Sequence, residues 1–562
     1  MNICLQAPEV LQLICQQLSN EYFGRQYLLA AALSCRALLE PALDILWYSL
    51  PSFKPIVTTL PADLWKVEKE GGSTFRKWTI MGVRRAITTD DLDRYMTYYA
   101  RRVREVNIGG LKITLTPEAW HGLQMATSWK HGALSPFAYK VSWPLTGGVQ
   151  YALPSENLNQ SLPFFSLFLG PDTTVVDFTY DSRVPIHAAS IRSAYKIPSK
   201  LKILSLNDID RSTSGLVFLE NYLRTSSWDH LEILRVPNVT PKSLAQLSTL
   251  PVLATLDLWD LSGIPHLYTY SDDDLEAPPE HLSTMSGDAF RSLKILKARC
   301  KSTFEFEALL QHVPPRNQVH SLKCLLGSIP SSRDIGSLFT SIRLHCNPES
   351  LRKLGVQVYG DPEVEEESLK VEVNEGVNLR PLLDFEKLET LSLNLSTTGI
   401  NLNPEDIDYI VECFPSLVKL KIDANTFDSR LPLIDHSHFL QLIYGLKHLR
   451  KLGLRFNATN ITGDEDRPGA LSEGKGEEEK HSGSLKMLWV GDSPIYSSDR
   501  VASFLKRHCP ELASSIYTIY FEEDPPEKMP VMVYKRRWEA VETSESKYRQ
   551  QQCRSNVVVT EA

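Results

Sequence analysis

Leu388-Glu389-Thr390-Leu391-Ser392-Leu393 decides how this chain reads. Its apolar residues stand at i, i+3 and i+5, so they turn into a core while the residues between them face outward along a strand. The spacing recurs in Leu201/Leu204/Leu206, Leu231/Leu234/Val236, Leu253/Leu256/Leu258 and Leu293/Leu296/Ala298. It returns in Leu351/Leu354/Val356, Leu417/Leu420/Ile422, Leu449/Leu452/Leu454 and Leu485/Leu488/Val490, with a weaker copy that begins at Leu322. Successive first leucines lie 22 to 40 residues apart, which leaves room in each interval for a strand and a helix.

Helical patterns fill those intervals: Phe306, Leu309, Leu310 and Val313 fall at i, i+3, i+4 and i+7, as do Ile407, Ile410, Val411 and Phe414. One such β-α unit cannot bury its apolar face alone, so neighbours must stack with their strands in a parallel sheet and their helices outside it. The expected fold class is α/β, a leucine-rich-repeat solenoid over residues 101–520, and it resembles the irregular, intracellular kind of leucine-rich repeat. Val103/Val106/Ile108 and Val175/Val176/Phe178 read as degenerate first repeats, and the Phe164 to Leu169 cluster as a buried helix face. Acidic loop insertions are expected near 271–280, 361–376 and 458–484, where charge and low apolar content offer little burial to offset the entropy of ordering. Residues 51–100 read as a connecting helical segment, and 521–562 as a polar C-terminal tail with a terminal polar helix.

The 562 residues are 42% hydrophobic and 23% charged, the balance of an ordinary globular protein. A net charge of −8 repels phosphate backbones and anionic membrane surfaces. No apolar run approaches the roughly 18 residues that span a bilayer, and no signal-peptide order opens the chain. The expectation is a cytoplasmic or nuclear protein that binds neither nucleic acid nor membrane. Nine widely spaced cysteines with no C-x-x-C pair read as reduced thiols.

Phosphate-loop, dinucleotide and hydrolase-elbow motifs are missing from the sequence, so no enzyme, catalytic residue or cofactor is expected. His436-x-His438 reads as a polar helix start and not as a metal site, and Arg101-Arg102-x-Arg104 and Lys535-Arg536-Arg537 as ordinary surface.

Residues 1–50 form a separate module. Leu11, Ile14 and Leu18 make one apolar stripe after Pro8, Leu28, Leu29, Ala32 and Leu33 a second, and Leu43, Leu46 and Trp47 a third. Three short helices in about forty residues bury too little surface to stand alone and need a further surface. Pro8-Glu9-x-Leu11-x-x-Ile14, Leu18, Leu33-Ser34-Cys35-Arg36 and Leu46-Trp47 resemble an F-box, with Gln6-Ala7 where the family has Leu-Pro. The tract from Leu39 to Pro51 looks like the divergent fungal version. The resemblance implies an F-box/leucine-rich-repeat protein: a substrate-recognition adaptor of an SCF-type cullin-RING ubiquitin ligase that docks on a Skp-type adaptor. Pro8, Leu11, Ile14, Leu18, Leu33, Cys35, Arg36 and Trp47 are then the adaptor-binding candidates. A competing reading makes the three helices a cap on the solenoid of a plain interaction scaffold. A more distant third is an enzyme with a site built from unrecognised loop residues.

On each repeat strand two outward positions face the concave side, in one row from Ser205 through Arg235, Asp257, Lys297, Gly355, Ser392, Lys421 and Gly453 to Trp489. The second row runs from Asn207 through Pro237, Trp259, Arg299, Gln357, Asn394, Asp423 and Arg455 to Gly491. Trp259 and Trp489 are the candidate anchors for a substrate protein, because indoles are enriched at binding hot spots. Lys297, Arg299, Lys421 and Arg455 are the candidates for charge-assisted bonds to an acidic or phosphorylated peptide.

Overall fold

In a computed structural model, residues 7–71, 78–108, 113–143, 161–193, 200–208, 213–224, 227–261, 289–315, 317–359, 378–395, 400, 402–424, 430–465, 484–512, 516–518 and 530–542 are described. The expected insertions at 271–280 and 361–376, most of the one at 458–484, Cys4, Cys553 and the tail beyond 542 lie outside them. The chain divides into two compact units, Met1–Thr255 and Leu256–Ala562.

The first unit opens with α1 (Pro8–Ser19), α2 (Gly24–Ser34) and α3 (Arg36–Leu46). Their stripes meet in a small core of Cys15, Leu28, Ala32 and Ala42, flanked by Leu18, Leu38, Ile45 and Leu46. Then follow β1 (Ser49–Leu50), α4 (Lys54–Thr59), β2 (Trp65–Gly71), β3 (Trp78–Val83), α5 (Thr89–Tyr98), β4 (Glu105–Asn107), β5 (Ile113–Leu115), α6 (Pro117–Ala126) and β6 (Lys140–Trp143). The repeat ladder continues with β7 (Val175–Tyr180), α7 (Pro185–Ser193), β8 (Ile203–Asp208), α8 (Thr213–Arg224), β9 (Ile233–Val236) and α9 (Pro241–Leu247). Strands pair in the order β1-β4-β6-β7-β8-β9, and each pair is parallel. β4 and β7 are the two expected degenerate repeats. The Phe164 to Leu169 cluster is a buried 3-10 turn, with Phe164 stacked on Trp120 at 5.5 Å.

The expected helical connection at 51–100 is corrected by the structure. It holds α4 and α5, but between them β2 and β3 form an antiparallel pair, and β5 adds in parallel to β3. The cause is period-two patterning in β3, where Trp78 and Ile80 are buried and Thr79 and Met81 are not. α5 begins with a reciprocal cap, in which the Thr88 backbone donates to the Asp91 carboxylate at 2.9 Å and Arg85 adds a bidentate pair at 2.7 and 2.8 Å. The Arg85 bonds, with those from Thr88, hold the Asp91 carboxyl well below the ordinary 3.8. Asp91 therefore stabilises the fold fully above that value and loses its contribution as the pH falls below it. The melting-temperature gap between wild type and Asp91→Asn should be constant from pH 7 to about 5 and shrink on acidification toward pH 3. A gap that stays constant down to pH 3 would mean the pair contributes nothing.

The second unit takes up the repeats from β10 (Thr255–Leu258), through β11 (Ile295–Cys300), α10 (Thr303–Leu310), β12 (Ser321–Leu326), α11 (Ser332–His345), β13 (Lys353–Val358) and β14 (Thr390–Asn394). It continues with α12 (Pro404–Cys413), β15 (Lys419–Ile422), α13 (His436–Gly445), β16 (Lys451–Gly453), β17 (Met487–Gly491), α14 (Ser498–His508) and β18 (Ile516–Thr518). All pairs from β11 to β18 are parallel. Leu296, Leu322, Leu354, Leu391, Leu420, Leu452 and Leu488 occupy one register position, a column of leucines across seven strands. Every one of them is buried, and so are Phe306, Phe339, Ile410, Phe439 and Phe504 on the intervening helices. The copy at Leu322 is weak only in sequence, because Cys324 fills the next inward position and is itself fully buried.

Asp423 departs from its expected place on the open face. It adopts a left-handed backbone (φ 42°) and turns its carboxylate inward, where Oδ1 accepts the Leu395 N–H at 2.6 Å and Oδ2 accepts that of Ile400. The near side of the 458–484 insertion is likewise packed, with Ala458 and Ile461 buried. In the expected polar tail, residues 530–542 form a further helix, α15, whose Trp538 and Val541 are fully buried.

Candidate functional site

Two surfaces gather the candidate residues, one in each unit. In the first, α3 is fastened to the chain that follows it. Trp47 stacks on Tyr99 at 4.3 Å, and the buried Arg102 guanidinium donates to Glu40 at 2.5 Å, to Asp44 and to the Tyr98 carbonyl at 2.8 Å. Trp47 is thus occupied within the unit. The half-buried Leu18 packs on the module's core, Leu11 is buried at 7% exposure, and Cys35 is half-buried at the start of α3.

Pro8, Ile14, Leu33 and Arg36 remain exposed, Leu33 at 79% and Ile14 at 37%. They are joined by apolar side chains that the candidate set did not include: Leu13, Tyr22, Phe23, Tyr27 and Leu29 are all exposed. Tyr22 sits edge-on to Phe23 at 4.8 Å, and Phe23 to Tyr27 at 6.4 Å, so these rings form one patch. An open groove of about 420 Å³ runs between α1 and α3, lined by Pro8, Leu11, Gln12, Ala37, Glu40, Pro41 and Asp44. Pro41 inside α3 has no N–H to return to Ala37, so the helix wall of this groove carries a carbonyl without its usual partner.

In the second unit the open sheet face lies opposite the buried leucines. Strand register places Lys421, Gly453, Trp489 and Tyr517 side by side on β15 to β18. With no side chain at Gly453, the Lys421 stem lies across it; a Cβ there would meet Lys421 Cγ at 2.6 Å. The Lys421 ammonium reaches the Trp489 ring at 5.0 Å, and Trp489 stacks on Tyr517 at 5.2 Å. Burial lowers the Lys421 pKa, and the neighbouring Lys419 charge lowers it further.

The remaining sheet candidates are elsewhere or engaged. Arg455 is bound to the buried Asp492 carboxylate and to the Arg430 carbonyl. Arg299 covers the Tyr359 ring at 4.2 Å, four strands from Lys421, or about 19 Å at the usual strand spacing. Trp259 follows β10 and is half-buried. Lys297 pairs with Asp257 at 3.0 Å. Of the two expected rows, Ser205, Ser392, Gly453, Asp423 and Gly491 are buried and present no side chain to a partner. Tyr517 was missed because β18 has no leucine string to announce it.

His438 caps α13 through Asp435 at 2.8 Å, and His436 lies edge-on to Phe504, so this pair serves the helix start. Among the described residues no cluster of three or more His, Cys, Asp or Glu is placed to hold a metal, and no helix is long and apolar enough to cross a membrane.

No family model and no curated protein matches the chain. Among solved structures it is similar to an internalin (inlF) from Listeria monocytogenes, at 15% identity over 64% of this chain and 83% of that one, with a TM-score of 0.28. It is also similar to the leucine-rich repeat-containing protein LegL7 from Legionella pneumophila, at 13% identity over 71% of this chain and 90% of that one, with a TM-score of 0.23. The chain has a leucine-rich-repeat fold. That statement rests on the strand register and buried leucines above, since superpositions this loose carry nothing about activity or partners.

Proposed function

We propose that the chain is a substrate-recognition adaptor, in which the N-terminal module docks on a Skp-type adaptor of a cullin-RING ubiquitin ligase and the repeat strands hold a substrate protein. Its chemistry is positioning: a bound substrate is kept at high effective concentration near the transfer machinery. The observation that carries the reading is the exposed apolar surface of the module. A small helical unit with its own core leaves Ile14, Tyr22, Phe23, Tyr27 and Leu33 in water, and a set of this kind suits a protein interface.

The full chain, mixed with a recombinant Skp-type adaptor, is expected to co-purify with it. Ile14→Arg combined with Leu33→Arg should weaken that capture by about tenfold or more, because each places a charge where an apolar anchor is needed. Leu11→Arg is the wrong probe, since a buried residue would unfold the module itself. Equal capture of wild type and the double variant refutes the docking role.

The second reading is a protein-interaction scaffold with no ligase role, its first helices serving as an end cap. The favouring observation is that one side of α3 is already taken by Tyr99 and Arg102 of the same chain. A chain that ignores the adaptor while still binding protein partners through its repeats would establish it.

A further inference from the structure

Charge is distributed unevenly in the second unit. Strands β11 to β18 carry six lysines, one arginine and no Asp or Glu, in a chain whose net charge is −8. All seven cations alternate with the inward leucines and cysteines, so all seven project from the same, open face. Lys297 is compensated by Asp257, and Arg299 rests on Tyr359. Lys323, Lys353, Lys419, Lys421 and Lys451 form no ion pair among the described residues.

Register shows how they lie. Lys353, Thr390, Lys419 and Lys451 are consecutive neighbours across four strands, and Lys323, Gly355, Ser392 and Lys421 form the adjoining row. Like charges on neighbouring strands repel and cost stability. That repulsion reaches the titration of Lys419, whose pKa is lowered first by burial and then by Lys451 and Lys323. An arrangement that destabilises the free sheet is relieved when carboxylates are laid across it.

We propose that this face binds an acidic peptide segment of a partner protein, its carboxylates pairing with Lys323, Lys353, Lys419 and Lys451 and its end abutting the Lys421–Trp489–Tyr517 stack. An extended peptide places alternate side chains about 6.8 Å apart, a step its flexible carboxylate side chains match to strands about 4.8 Å apart. A single-stranded nucleic acid is the other polyanion with this charge, and it needs open rings on which bases stack. Trp489 offers none readily, because Tyr517 and the Lys421 ammonium already lie against it.

The inference deepens the substrate-holding half of the proposed function and rests on it. The test uses the full chain, fluorescein-labelled octaglutamate and anisotropy at low salt, where charge pairing is least screened. Lys353→Glu/Lys419→Glu/Lys451→Glu should weaken binding about tenfold or more. Lys54→Glu/Lys130→Glu/Lys242→Glu, three exposed lysines of the first unit with the same change in net charge, should shift it by no more than about twofold. If the first triple melts early, Lys353→Glu/Lys451→Glu, both at exposed positions, replaces it and should still weaken binding several-fold. The idea is overturned if wild type does not bind octaglutamate, if both triples weaken it equally, or if oligothymidylate of similar length binds as tightly. Capture of the Skp-type adaptor is read on the same variants and should not change, so a failure here is distinct from a failure of the N-terminal docking.

Discussion

Trp538→Ala should lower the unfolding free energy of the second unit by about 3–5 kcal/mol, the usual cost of emptying a large aromatic site. The residue is fully buried, its indole N–H donates to the Ser493 carbonyl at 2.9 Å, and its ring meets Phe456 edge-on at 6.2 Å. Its helix, α15, is held by two further bonds: Arg537 donates to the Ile495 carbonyl at 2.7 Å, and Ser498 Oγ donates to the Arg537 carbonyl at 2.9 Å. Trp538→Phe keeps most of the apolar contact and gives up the hydrogen bond, so its cost should be nearer 1–2 kcal/mol, or roughly one net hydrogen bond plus a small void. Urea unfolding followed by circular dichroism separates the two. An alanine variant within about 1 kcal/mol of wild type would mean that α15 is not part of the folded unit.

The second large effect is expected at Asp423. Its buried carboxylate receives the N–H groups of Leu395 and Ile400. Asp423→Ala leaves both without their acceptor, at about 1–3 kcal/mol each, and puts alanine in a left-handed backbone that costs about 1–2 kcal/mol more. The expected total is about 3–5 kcal/mol after relaxation. Asn tolerates that backbone and keeps one acceptor oxygen, so Asp423→Asn should lose only about half as much. Equal losses for Ala and Asn would remove the carboxylate from the explanation.

Both residues show where sequence reading stops. The leucine column was legible because one residue type recurs at one spacing, and the strands it announced from β8 onward are where the leucines said they would be. β6 obeys the same i, i+3, i+5 rule with Ala138, Val141 and Trp143, all buried, but no leucine marks it. A template defined by residue identity passes over a repeat that satisfies only the volume and polarity of the site. β2 hides a strand behind Lys66, Glu68, Lys69 and Glu70, because every residue from Lys66 to Glu70 is exposed and no apolar alternation marks it. Trp538 sits among Lys535, Arg536, Arg537 and Glu539, and local composition masked a single buried contact made at long range.

The candidate surfaces divide in the same way. Outward positions follow from the strand period, so Lys421 and Trp489 could be named as neighbours of the open face. That they touch depends on Gly453 between them, and that Arg455 is spent on Asp492 depends on a loop after β17. Helical periodicity identified apolar residues in the first module without distinguishing Leu11, which is buried, from Leu33, which faces out. The lysines of β12 to β16 were each visible, but their common face, and the lack of an ion pair to any of them among the described residues, emerge only when strands are set in register.

The shared register of Leu296 through Leu488 has a consequence for how such a chain can change in length. Each rung meets the next by an interchangeable edge, Leu354 against Leu391 in the same manner as Leu391 against Leu420. Loss or duplication of a whole interval, such as the one from Leu388 to the residue before Leu417, presents the same edge to the next rung, whereas a slip of one residue within a strand would turn every leucine of that rung toward water. The architecture therefore tolerates length variation in whole-rung steps and punishes it in single residues.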